Sequence, residues 1–151
     1  MEISGLDFAF VDADDVRAVL DEYLSQTDRA KNAECYLGII VGSGAIVEGL
    51  LTWALLRREP GALKSNKAPK DKQGKVMPLQ EWSLTSLINV AAELGLIGKT
   101  ATQASWALKD FRNFIHPYNL LKQSARPDRA LAESAAAALV EIRRSLQGRL
   151  Q

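Results

Sequence analysis

Residues 109–119, KDFRNFIHPYN, carry the side chains best suited to chemistry. On an ideal helix, with about 100° between successive residues, four polar side chains fall within one arc: Lys109, Arg112, Asn113 and His116. The arc presents two fixed cations, an amide and the only imidazole of the chain. Cations and N–H donors grouped in this way suit the binding of a phosphate.

The helix that would position this arc is predicted to run from about Thr100 to about residue 115, because Pro117 cannot continue it. Its apolar side is a second narrow arc, and the nearest carboxylate, Asp110, projects elsewhere. The apolar arc consists of Ala104, Leu108, Phe111 and Ile115. A structural interpretation stays open, in which His116 only caps the helix and Arg112 is an ordinary surface charge.

Length and composition indicate one soluble domain over residues 1–151. Apolar residues make up 47% and charged residues 25%, and the net charge is +1, so no global field attracts nucleic acid. Cys35 is the only cysteine, which excludes an internal disulfide and fits a reducing cytosol. From the acidic start MEISGLDFAFVDADD we expect no signal or transit peptide, and no zinc-ligand or other cofactor motif is recognisable. We predict a cytoplasmic protein with no cofactor.

One apolar stretch, residues 36–56, is long enough to cross a bilayer. Its single charge, Glu48, lies near the middle, where a lone carboxylate is costly in lipid. We therefore predict a buried central helix from about Ala33 to Arg58, stopped by Pro60-Gly61, rather than a membrane span.

Four further helices are predicted around this central one. Asp12, Asp14 and Asp15 suit the N-terminus of the first, and the others begin near residues 83, 100 and 127. Ser83 is the predicted N-cap of the third helix, Gly95-Leu96 its stop, and Thr100–Gln103 the capping box of the fourth. The last helix carries one apolar face, Leu131, Ala135, Leu139, Ile142 and Leu146. No strand pattern appears, so the predicted fold is all-α: an up-and-down helical bundle of four main helices plus one.

The glycines of GSGAIVEG invite a dinucleotide-binding interpretation, which fails because Val47 occupies the position of the third glycine. Gly38, Gly42 and Gly49 are spaced by four and seven residues, so they share one helix face. Small residues on one face predict the close approach of another helix.

Between the second and third helices lies a predicted Lys-rich loop at about 60–78. Residues 64–76, KSNKAPKDKQGKV, contain five lysines and one aspartate, with no apolar period. Such a loop is able to touch a phosphate backbone, but a solvated insertion is the simpler interpretation.

Three segments, AECYLGIIVGSGAIVEGLLTWAL, SLTSLINVAAELGLI and ALKDFRNFIHPYN, resemble bacterial HEPN domains (higher eukaryotes and prokaryotes nucleotide-binding) in their order. The matched pieces lie within residues 30–122, and FRNFIHP is the most specific of them. The resemblance implies an all-α bundle that commonly forms homodimers. Many members are metal-independent ribonucleases, frequently toxins or effectors of antiviral defence.

Carried over to this chain, the family motif of an Arg, a polar residue and a His corresponds to Arg112, Asn113 and His116. The resemblance implies proton transfer by His116 and stabilisation of the phosphorus centre by Arg112, with Lys109 as a further RNA phosphate contact. It also makes Tyr118 a candidate modification site, because some members paired with nucleotidyltransferase antitoxins carry a Tyr two residues after the His. A packing or surface Tyr is the alternative.

Three functions remain open at this point, and the third is a membrane-associated helical protein built on residues 36–56. The first is a ribonuclease acting as a homodimer, with RNA as substrate and an antitoxin or other protein as a further partner. The second is a non-catalytic HEPN module that binds RNA, a nucleotide or a partner protein. The homodimer is expected to bring two copies of the polar arc together across one cleft, which supplies a second imidazole. Apolar residues beside the arc, such as Phe114, are expected to supply the adhesion.

Overall fold

A computed structural model describes residues 2–122 and 126–150, and this part of the chain is all-α. It contains seven α-helices rather than the predicted five: α1 Asp14–Asn32, α2 Tyr36–Leu56, α3 Glu59–Lys64, α4 Leu84–Glu93, α5 Lys99–Ser105, α6 Pro117–Leu120 and α7 Arg129–Leu150. Three short 3-10 segments lie between them, at Leu79–Glu81, Trp106–Leu108 and Phe111–Phe114. Only an isolated bridge between Lys70 and Val76 has β character in the described residues.

The central helix α2 is the core of the bundle, as predicted. Eleven of its 21 residues are buried, and α1, α4, α7 and the Phe111–Phe114 segment pack around it. It is the one helix of the described residues that is long and apolar enough to cross a membrane, yet 61% of its apolar window is buried within the bundle. An apolar surface on every side of a helix is stabilised here by neighbouring helices.

The predicted glycine face of α2 receives α1. A Cβ on Gly38 would lie 2.9 Å from Ala30 Cβ, one on Gly42 would overlap Thr27, and one on Gly49 would lie 3.1 Å from Leu20. Successive glycines along α2 meet successively earlier residues of α1, so the two helices are antiparallel. The expectation of a close helix approach is confirmed.

Both ends of α4 are as predicted. The Ser83 side chain accepts a hydrogen bond from the Ser86 N–H at 3.3 Å, which makes it the N-cap. At the other end Gly95 has a φ of +74°. Its N–H donates to Ala92, and the Leu96 N–H donates to Ala91, the pair of bonds that defines a Schellman stop.

Two local predictions are wrong. Pro60 and Gly61 do not stop α2, which ends at Leu56; Pro60 instead lies in the first turn of α3, where its missing N–H costs nothing. The Lys-rich loop therefore begins after Lys64 rather than near residue 60. Thr100 and Gln103 form no capping box, because Gly98, two residues earlier, is the N-cap of α5 and Thr100 lies within the helix.

The predicted helix over 100–115 is also wrong. The α-helix ends at Ser105, whose hydroxyl donates to the Ala101 carbonyl at 2.6 Å. Two 3-10 segments follow, with three residues per turn. Buried residues accordingly recur at every third position, at Ser105, Leu108, Phe111 and Phe114, while Ile115 is 50% exposed.

We predict that Gly42→Ala lowers the free energy of unfolding by about 1–3 kcal/mol, because the new methyl group overlaps Thr27 across the α1–α2 contact. Gly148→Ala, in α7, is the matched control. Nothing lies within 4 Å of a Cβ there, so helix propensity should raise stability by at most about 1 kcal/mol. Urea unfolding measures both; equal effects of the two substitutions would contradict the close packing.

Candidate functional site

The best-defined polar contact of the candidate site joins Arg112 to Glu48. Arg112 Nε donates to one Glu48 carboxylate oxygen at 3.1 Å, and Nη2 donates to the other at 2.5 Å. Glu48 lies in α2, and its side chain is 22% exposed, whereas that of Arg112 is 63% exposed. A two-point contact of this kind fixes the plane of the guanidinium.

A second anchor lies one turn away on the same face of α2. The Phe111 ring packs so closely over Gly44 that a Cβ there would be only 2.7 Å from Phe111 Cδ1, and nearer still to two other ring atoms. Gly44 and Glu48 are four residues apart, hence neighbours on the helix surface. Two positions one turn apart on α2, Gly44 and Glu48, therefore contact two consecutive residues of the 3-10 segment, Phe111 and Arg112.

The surroundings of Arg112 keep it charged. The hydrogen bonds and the negative charge of Glu48 raise the pKa of Arg112 above its ordinary value, and desolvation opposes them only in part. Its guanidinium carbon also lies 5.9 Å from the centre of the Phe111 ring. Glu48 occupies the Nε and Nη2 edge, and Nη1 has no hydrogen-bond partner among the described residues.

His116 is placed differently from the prediction. It is exposed and follows the 3-10 segment with an extended backbone, φ −110° and ψ 103°, as the residue before a proline prefers. Pro117 opens α6 rather than ending a helix. Within the described chain, the His116 ring has no hydrogen-bond or ion-pair partner.

The prediction that Lys109, Arg112, Asn113 and His116 lie in one arc of a single α-helix is therefore wrong. Lys109 is exposed, and Asn113 is half-buried with its backbone N–H donating to Asp110 at 2.9 Å. The 3-10 segment covers only Phe111–Phe114, so Lys109 and His116 lie outside it and the four residues do not share one helix. Tyr118 is 81% exposed. The roles assigned to these residues, Lys109 and Tyr118 included, stay predictions.

Arg112 lines an open, mainly apolar groove of about 470 Å³. The groove lies between α1, α2 and the Phe111–Phe114 segment, and Glu48 lines it as well. Four exposed apolar side chains border it: Val19, Tyr23, Leu56 and Ile115. Lys109, Asn113 and His116 are not among its lining residues. Phe114, expected to supply apolar contact, is instead buried in the core.

Glu48 and Gly44 are the site residues that the sequence did not assign. The lone carboxylate within an apolar helix was a visible signal that Glu48 has a partner, but the partner is 64 residues away. Among the described residues no three His, Cys, Asp or Glu side chains group closely enough to hold a metal ion.

Comparison of the chain with family models, with curated proteins and with solved structures finds no match.

A double-mutant cycle with Glu48→Gln and Arg112→Gln should give a coupling free energy of about 1 kcal/mol, since the contact is two-pronged and partly buried. The exposed pair Arg129–Glu133, one turn apart in α7, is the control, with about 0.3–0.5 kcal/mol expected. Both cycles are measured by urea unfolding. A coupling at Glu48–Arg112 no larger than that of the control would show that the carboxylate does not fix Arg112.

Proposed function

We propose that the chain is a HEPN-like, metal-independent ribonuclease that acts in the cytoplasm as a homodimer, in a toxin–antitoxin or antiviral defence setting. The observation that carries the proposal is the held guanidinium of Arg112, with its Nη1 edge left for a phosphate, four residues before the exposed His116. A charged donor fixed before substrate arrives needs little reorganisation during the reaction.

The proposed reaction is transfer of the RNA phosphodiester to its own 2′-oxygen. His116 of one protomer takes the proton of the 2′-hydroxyl while the 2′-oxygen bonds to phosphorus. The bond from phosphorus to the 5′-oxygen breaks, and that oxygen takes a proton from a second imidazole. Arg112 stabilises the negative charge on the non-bridging oxygens.

The second imidazole must come from a second copy, because His116 is the only histidine of the chain. A twofold axis brings together the two copies of a residue that lies close to it, so His116 must lie near the axis of the proposed dimer. The groove offers apolar area for such an interface, because Val19 and Ile115 on its border are 56% and 50% exposed. These residues replace Phe114 as the proposed source of adhesion.

The second candidate function is a non-catalytic HEPN-like module that binds RNA, a nucleotide or a partner protein such as an antitoxin. The observation in its favour is the His116 ring, which has no orienting partner within the described residues. Imidazoles in proton transfer usually have one. A module of this kind would use the same groove and bind without cleaving.

RNA cleavage in EDTA is the first test. The purified protein should cleave structured or single-stranded RNA, and His116→Ala and Arg112→Ala should each lower the rate by about 100-fold or more. Arg29→Gln, an exposed cation in α1 far along the chain from the site, controls for loss of charge and for contaminating nuclease. Equal cleavage by His116→Ala would identify a contaminant; binding without cleavage would favour the second candidate.

The oligomeric state is the second test. Light scattering should give about twice the chain mass of 16.5 kDa. Val19→Glu places a charge on the groove border and should yield monomers without cleavage activity, because burying an unpaired carboxylate at an interface is costly. Leu37→Glu, an exposed apolar residue of α2 outside the groove, should leave the dimer intact. A monomeric parent protein, or equal effects of both substitutions, would contradict this interface.

A further inference from the structure

Positive charge is concentrated at the last residue of α3, Lys64, and in the loop that joins α3 to the Leu79–Glu81 segment. Residues 64–76 carry five lysines and one aspartate, a net charge of +4, while the whole chain carries +1. The remainder of the chain therefore carries −3. We call residues 64–76 the lysine loop. A polyanion approaching this protein meets attraction there and net repulsion from the rest.

The lysine loop is folded on itself. The Asp71 N–H donates to the Lys75 carbonyl at 2.8 Å, and the Met77 N–H donates to the Pro69 carbonyl at 3.0 Å, across the turn that Gly74 allows with a φ of +81°. At its base Ser65 is buried and donates to Glu93 of α4 at 2.6 Å. A surface that is already ordered loses less conformational entropy when it binds.

The one carboxylate of the loop serves this fold. Asp71 Oδ1 accepts the backbone N–H groups of Gln73 and Lys75, each at 2.9 Å. No lysine of the loop forms an ion pair within the described residues, and all five side chains are exposed: Lys64, Lys67, Lys70, Lys72 and Lys75. The structure thus presents five ammonium groups without an ion pair, Lys64 at the end of α3 and four on the ordered loop that follows.

We infer that the lysine loop binds the phosphate backbone of double-stranded nucleic acid without sequence preference. Ammonium groups are point charges that contact phosphates and read no bases. Residues 58–81 contain no aromatic side chain on which an unpaired base would stack, which favours a duplex over a single strand. No large apolar side chain of this region is exposed, so the loop lacks the apolar group that strengthens attachment to a lipid surface.

The inference does not rest on the proposed ribonuclease, because the loop is separate in sequence from residues 109–118 and binding is measured without cleavage. If both proposals hold, the loop would keep structured RNA near the site. Gln80, just after the loop, lines the same groove as Arg112.

Binding to a short DNA duplex tests the inference, since DNA has no 2′-hydroxyl and the proposed ribonuclease reaction cannot occur on it. The double variant Lys70→Gln/Lys72→Gln should weaken binding several-fold at low salt. It should also make the slope of log K against log salt shallower by up to about 1.8, since each phosphate contact contributes about 0.9.

The matched control is Arg29→Gln/Lys99→Gln, which removes the same charge from exposed helix positions that make no ion pair in the described chain. It should leave the slope unchanged. The inference is overturned if both double variants lose the same affinity for the duplex. It is also overturned if the parent protein binds no duplex at low salt, or binds only to vesicles of anionic phospholipid. If the protein cleaves RNA but the lysine-loop variant keeps the salt slope of the parent, the duplex-binding inference fails while the ribonuclease proposal stands.

Discussion

The covering of α2 is the constraint on which the rest of the structure depends. An apolar helix must be covered nearly all round in water, and close covering requires small residues where neighbours cross. Glycines supply them: Gly38, Gly42 and Gly49 receive α1, and Gly44 receives Phe111. The only charge of the helix, Glu48, lies where this covering is incomplete and an arginine reaches it. The place of Arg112 is thus a consequence of how the core helix is enclosed.

Periodicity and capping residues predicted most of the helices because those signals are local. Ser83, Gly95 and the glycine face of α2 each act on neighbours within a turn or on one adjacent helix, and each was confirmed. The segment after Ser105 was not predicted, because its apolar residues satisfy two periods at once. Leu108 and Phe111 face inward whether the segment has three residues per turn or is α-helical. The two conformations differ in whether Phe114 or Ile115 faces inward, and Phe114 is the buried one.

The candidate site was predictable in part for the same reason. Residue types singled out Arg112 and His116, but the contact that fixes Arg112 comes from Glu48, 64 residues earlier. Local spacing contains no information on such a pair; it follows from the packing of Phe111 on Gly44. His116 was assigned to a helix end, whereas Pro117 imposes an extended backbone on it and starts a new helix.

The two overlapping apolar periods have a consequence for how this segment tolerates change. The 3-10 and α conformations differ by about 20° per residue, so roughly half a turn accumulates between Ser105 and Phe114. A residue exchange that makes position 114 small and leaves Ile115 large removes the reason for the tighter winding. The inward stripe would then be Ala104, Leu108, Phe111 and Ile115, and the polar side chains would rotate around the segment axis while Phe111 stayed over Gly44. The burial of Phe114 instead of Ile115 thus goes together with the tighter winding, and the winding decides which way the polar groups of the segment face.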